Sequence, residues 1–93
     1  MSPKSYLGEF EQMVLLAILQ RGEHANGYEV RRELEVSAGR VVSKGAFYTT
    51  LDRLERKGYV TWEARVPQGD GSSLPQRHFR VTTAGLEELR RSR

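Results

Sequence analysis

The chain has 93 residues, no cysteine, and 15 basic against 12 acidic side chains, for a formal net charge of +3. A chain this short is expected to form one small domain that buries about two-thirds of its unfolded surface, so oligomerisation is a natural source of extra stability. The missing cysteines exclude disulfides, thiolate metal sites and cysteine nucleophiles, and they fit a reducing, cytoplasmic compartment. The longest apolar run, Met13 to Leu19, falls far short of the roughly 20 residues of a membrane span. It follows Glu9 and Glu11 rather than a basic leader, so neither a secretory signal nor a membrane partner is expected.

The charge is unevenly placed. Residues 1–39 carry four basic and six acidic groups, a net of −2, whereas residues 40–93 carry eleven and six, a net of +5. A basic excess gathered in one half is the footprint expected of a nucleic-acid-binding surface.

The first predicted helix spans residues 7–21. Leu7, Phe10, Val14, Ala17 and Ile18 share one face, Met13, Leu16 and Leu19 form a second apolar flank, and Gly22 is the stop. The second spans 27–38, opened by a capping box at Asn26 and Glu29 and closed at Gly39. Its inward residues are Tyr28, Val30 and Leu34. Arg40-Val41-Val42 then reads as a short extended piece able to pair with the later strands.

The third helix spans 44–57, with Ser43 as N-cap and Gly58 as stop. Phe47, Thr50, Leu51 and Leu54 fall on one side. Gly45, Tyr48, Thr49, Asp52 and Arg56 fall on the other, with Lys44 and Arg53 on its flanks. A strand over 59–66 places Val60, Trp62, Ala64 and Val66 inward, with Trp62 more often a core residue than a ligand stacker. A loop over 67–76 holds two glycines, two prolines and two serines. A strand over 77–82 turns Phe79 and Val81 inward, and Thr82 or Thr83 caps a last helix over 83–92 carrying Leu86 and Leu89. The order predicts a mainly α fold with a small antiparallel β ribbon, a winged helix-turn-helix, in a single domain over residues 1–93.

In such a fold the second helix of the pair enters the major groove by its N-terminal end. Ser43 and the free N–H groups beside it suit a phosphate. Small Gly45 lets the backbone approach the duplex, and Lys44 suits a phosphate or a guanine. Tyr48 and Thr49 suit a phosphate or a thymine methyl, and Arg53 a phosphate farther along. Tyr48 reads equally well as a half-buried aromatic, and the charged residues as a solvated face with intrahelical pairing. Arg65 and Arg77, at the feet of the loop, are expected to lie close together and to follow a phosphate strand or enter the minor groove. The loop tip carries Asp70 and no base.

His24 and His78 stand apart from any acidic or cysteine cluster, so no metal is expected. No nucleophile–base constellation or phosphate-binding glycine motif is present, so neither an enzymatic activity nor a cofactor is expected.

Several stretches resemble the PadR-like family of bacterial transcriptional regulators: Leu7 to Glu11, Val14 to Leu19, Asn26 to Val30, Gly45 to Glu55, Lys57 to Val60 and Phe79 to Gly85. The resemblance implies a dimeric repressor that grips a palindromic operator on double-stranded DNA through two winged helices. It further implies release by a small aromatic or drug-like effector. At matching positions the DNA contacts would come from Ser43, Gly45, Tyr48, Thr49 and the arginines at the wing base. Family members usually dimerise through longer helices after the wing. Here the expected homodimer interface draws on Leu7, Met13 and Leu16 of the first helix with Leu86 and Leu89 of the last. Two other readings stand beside this one: a winged-helix protein-interaction module without specific DNA binding, and a ligand sensor whose DNA binding is secondary.

Overall fold

Among the described residues the α-helices and strands follow in the order α1 (Glu9–Arg21), α2 (Gly27–Ala38), α3 (Lys44–Arg56), β1 (Val60–Arg65), β2 (Gln76–Val81) and α4 (Thr83–Arg91). They come from a computed structural model that describes residues 8–39, 41–66 and 74–91. Leu7, Ser92 and most of the expected wing loop, residues 67–73, lie outside the described residues. The fold is mainly α with a two-stranded antiparallel ribbon, as the order of patterns predicts.

Each helix begins and ends for a local reason. Glu11 reaches back to the Gly8 N–H at 2.8 Å and so holds the first turn of α1. After α1 a short 3₁₀ turn over Gly22–His24 leads to Asn26, whose side chain accepts the Glu29 N–H at 2.8 Å and starts α2. Ser43 does the same for α3, accepting the Ala46 N–H at 3.1 Å. Thr82, not Thr83, caps α4: its hydroxyl accepts the Gly85 N–H at 3.0 Å and donates to the Gly58 carbonyl at 2.7 Å. One hydroxyl therefore ties the end of the ribbon to the turn that starts it.

The core is one cluster. It joins Val14, Leu15 and Ile18 of α1, Val30 and Leu34 of α2, and Phe47, Leu51 and Leu54 of α3 with Val42, Val60, Phe79, Val81 and Leu89. Gly85 lets α4 close over the ribbon, because a Cβ there would stand 2.5 Å from the Tyr59 carbonyl oxygen. Glu11 is buried on α1, and Lys57 reaches it across the fold at 3.1 Å. This pair fastens the end of α3 to the start of α1, and the linear spacing of the two residues carries no sign of it.

Four expectations need correction. Tyr28 is 61% exposed rather than inward, and its hydroxyl accepts from Arg32 at 3.3 Å. Val41 and Val42 belong to no strand; the Val42 N–H donates to the Glu35 carboxylate at 3.0 Å. The residues beside β2 are instead Ala25 and Asn26, through the Phe79 N–H to the Ala25 carbonyl at 2.9 Å and an Asn26–His78 bridge. On β1 only Val60 is buried, while Trp62, Ala64 and Val66 are exposed. The ribbon runs out past the core, so its alternation sorts side chains onto two faces without burying either at the far end. Finally, Leu89 is 8% exposed and packs into the chain's own core, so it is not an open seam.

Candidate nucleic-acid interface

The buried side of α3 is filled by Phe47, Thr50, Leu51 and Leu54. Burial there at three- and four-residue spacing leaves Lys44, Gly45, Tyr48, Thr49, Asp52, Arg53 and Arg56 exposed on the remaining surface. Ser43, also exposed, stands at the start of this stripe. A Cβ at Gly45 would meet open space, so the first turn of α3 offers bare backbone to an approaching surface. Mixed charge marks the far half, where Asp52 and Glu55 alternate with Arg53 and Arg56.

Tyr48 is 38% exposed and intermediate between the two readings its position allowed. Its ring meets Phe47 edge-on at 5.0 Å between centroids. Its hydroxyl lies directly against the Cα of Gly27, so that a Cβ at position 27 would collide with it. The Asn26-Gly27-Tyr28 start of α2 therefore makes room for the tyrosine of α3. Together with Pro75, Gln76, Arg77 and Phe79 these residues line a depression of about 380 Å³.

Strand register decides the rest. Ala64 pairs with Arg77 and Arg65 with Gln76. Residues directly opposite share a face, so Arg65 and Arg77 lie on opposite faces of the ribbon, not together. Arg65 donates from Nε to the Glu63 carboxylate at 2.8 Å, and this hydrogen bond, reinforced by the charge, holds the Glu63 carboxyl below its ordinary range. Arg77 instead lies over the Trp62 ring, 4.7 Å from its centroid. The Trp62 Nε1–H in turn donates to Glu55 near the end of α3 at 3.1 Å. Gly27, Gln76 and Trp62 were not singled out by sequence reasoning as part of the site. The loop between the strands is too long to set a register in advance, and the register is what unites them.

Of the residues expected at a dimer interface, Leu16 is 50% and Leu86 39% exposed, while Met13 is half-buried against the core. Leu19 beside them is 43% exposed. No helix among the described residues is long and apolar enough to cross a membrane.

Helices α2 and α3 joined by a short connection, with a β ribbon standing beside the exposed side of α3, define a winged helix-turn-helix protein. The chain belongs to the Transcriptional regulator PadR-like family, which matches residues 15–91, and it is accordingly a transcriptional regulator. Its structure is similar to that of a transcriptional regulator from Clostridium thermocellum, with 19% identity, 87% of this chain and 75% of that chain covered, and a TM-score of 0.70. A PadR-like transcription factor from Bacteroides fragilis is 22% identical over 88% of this chain and 74% of that one, with a TM-score of 0.66. The circadian clock associated protein Pex from Anabaena is 21% identical over 97% and 81%, with a TM-score of 0.64. At these identities the likeness is one of fold. Comparison with curated protein sequences finds no match.

Proposed function

We propose that this chain is a sequence-specific DNA-binding repressor that acts as a homodimer on a palindromic operator in the cytoplasm, without catalysis of its own. The observation that carries this reading is the open stripe of α3, Ser43, Lys44, Gly45, Tyr48 and Thr49, anchored from behind by fully buried Phe47 and Leu54. The stripe presents a helix N-terminus, bare backbone, a cation and three hydroxyls, the groups that meet phosphates and base edges in a major groove. Arg53 and Arg77 extend the contact along the backbone. Arg65 has a smaller share, because its charge is already matched by Glu63. Met13, Leu16, Leu19 and Leu86 supply the dimer surface, in which the family's symmetry would place two copies of α3 one helical turn apart.

The test is a selection of duplexes from random DNA with the purified protein, followed by binding to the recovered sequence. A two-fold symmetric consensus is expected, with affinity falling steeply as salt rises, by a logarithmic slope of about −0.9 per phosphate neutralised. Tyr48→Ala and Lys44→Ala are expected to weaken binding roughly tenfold each, Lys44→Ala without lowering the melting temperature and Tyr48→Ala with a loss of about 1 kcal/mol of stability from its ring contact with Phe47. Binding indifferent to salt and to both substitutions would favour the protein-interaction reading instead.

A small aromatic effector that releases DNA is part of the same proposal. It is supported by a groove of about 450 Å³ between the end of α1 and the ribbon, whose lining includes Leu19, Trp62, His78 and Phe79. Planar aromatic compounds titrated against the single tryptophan are expected to quench or shift its fluorescence. A flat response across a broad panel removes the effector from the proposal.

A further inference from the structure

Trp62 lies on the strand face that turns toward the helices, yet it is 37% exposed, too open for a core tryptophan. Two contacts give it a specific orientation. Its Nε1–H donates to Glu55 on α3 at 3.1 Å, and its ring carries the Arg77 guanidinium at 4.7 Å, within the roughly 6 Å over which a ring face attracts a cation. Arg77 stands one diagonal step away on the partner strand, opposite Ala64, where long side chains on one sheet face meet. Among the described residues Arg77 has no ion pair, whereas Arg65 on the other face is bound to Glu63. Arg77 also borders the depression that Tyr48 lines. A carboxylate at position 55, on the side of α3 that would approach phosphates, is unfavourable for DNA by charge alone. As an anchor for the indole it has a purpose.

We infer that Trp62, oriented by Glu55, is a positioning residue for Arg77: it pre-aims the guanidinium at a DNA backbone phosphate beside Tyr48 and so couples the wing to the recognition helix. Holding a flexible arginine in place before binding lowers the ordering cost of the complex. This inference rests on the DNA-binding reading above.

The test is a double-mutant cycle read as duplex affinity and salt slope, using the selected operator duplex. Arg77→Ala is expected to lower affinity about tenfold and to make the slope shallower by about 0.9, the loss of one phosphate. Trp62→Ala is expected to lower affinity about threefold and to move the slope in the same direction. Combined with Arg77→Ala it is expected to cost nothing further, since the group it positions is gone. Trp62→Leu, which keeps apolar bulk but has no ring face, is expected to behave as Trp62→Ala does, separating aim from packing. Glu55→Gln, which keeps an oxygen for the indole, is expected to leave the slope unchanged. Equal losses from the tryptophan substitutions with and without Arg77, or a wild-type slope in Trp62→Leu, would overturn the inference. If Tyr48→Ala still weakens operator binding about tenfold in that case, the DNA-binding reading stands without it. If the wild-type protein binds no duplex, both fall together.

Discussion

The third helix and the ribbon that follows it are both amphipathic in sequence, but they are held in the fold in different ways. Helix α3 is buried along the whole of its inner side, from Phe47 through Leu54, so its outer side is a rigid consequence of its core. The ribbon is buried only at its root, by Val60 on β1 and by Phe79 and Val81 on β2. Farther out, both of its faces meet solvent. There each arginine is placed by a local partner, Arg65 by Glu63 on one face and Arg77 by Trp62 on the other. A helix wedged into a core presents its polar residues by default. A projecting ribbon needs its own surface contacts to aim them.

The comparison is exposed to mutation. The largest effect is expected from Phe47→Ala, which removes a fully buried ring and should cost about 3–5 kcal/mol in denaturant or thermal unfolding. Gly85→Ala comes next, at about 1–3 kcal/mol, since its Cβ would press on the Tyr59 carbonyl where the ribbon root meets α4. Val60→Ala, at that same root and 3% exposed, is expected to cost about 2 kcal/mol. Trp62→Ala, two residues farther out, should cost about 1 kcal/mol or less despite the larger side chain. If its cost matched or exceeded that of Val60→Ala, the ribbon would be buried farther along than the structure shows.

The smallest effect belongs to Glu63. Arg65 lowers its pKa in the folded chain, so the stabilisation is present above the unfolded carboxylate pKa and is lost as pH falls through the folded one, below about pH 4. The pair is exposed and screened, so Glu63→Gln is expected to leave the neutral-pH melting temperature unchanged within error. It should remove only a slight part of the acid-side loss, which melting curves taken between neutral and acid pH would show.

Local chemistry in the sequence was enough for the helices. Asn26, Ser43 and the glycines after the first three helices, Gly22, Gly39 and Gly58, mark their ends to within a residue or two, because capping depends on neighbours only three or four positions away. The exposed stripe of α3 was legible for the same reason, since helical periodicity and a run of small residues need no knowledge of the rest of the chain. Tyr28 shows the limit. Its position fits an apolar stripe, but the start of α2 is occupied by Tyr48, and Tyr28 turns outward to Arg32.

The sequence by itself thus determined the order of elements, the winged helix-turn-helix class and the side of α3 that stays open. Tertiary structure alone decided that Ala25 and Asn26, not Val41 and Val42, flank β2, and that Glu11 meets Lys57. It also turned Leu89 inward and separated Arg65 from Arg77. Each of these depends on residues far apart in sequence meeting in one place, and on a strand register that shifts every side chain to the other face when it slips by one.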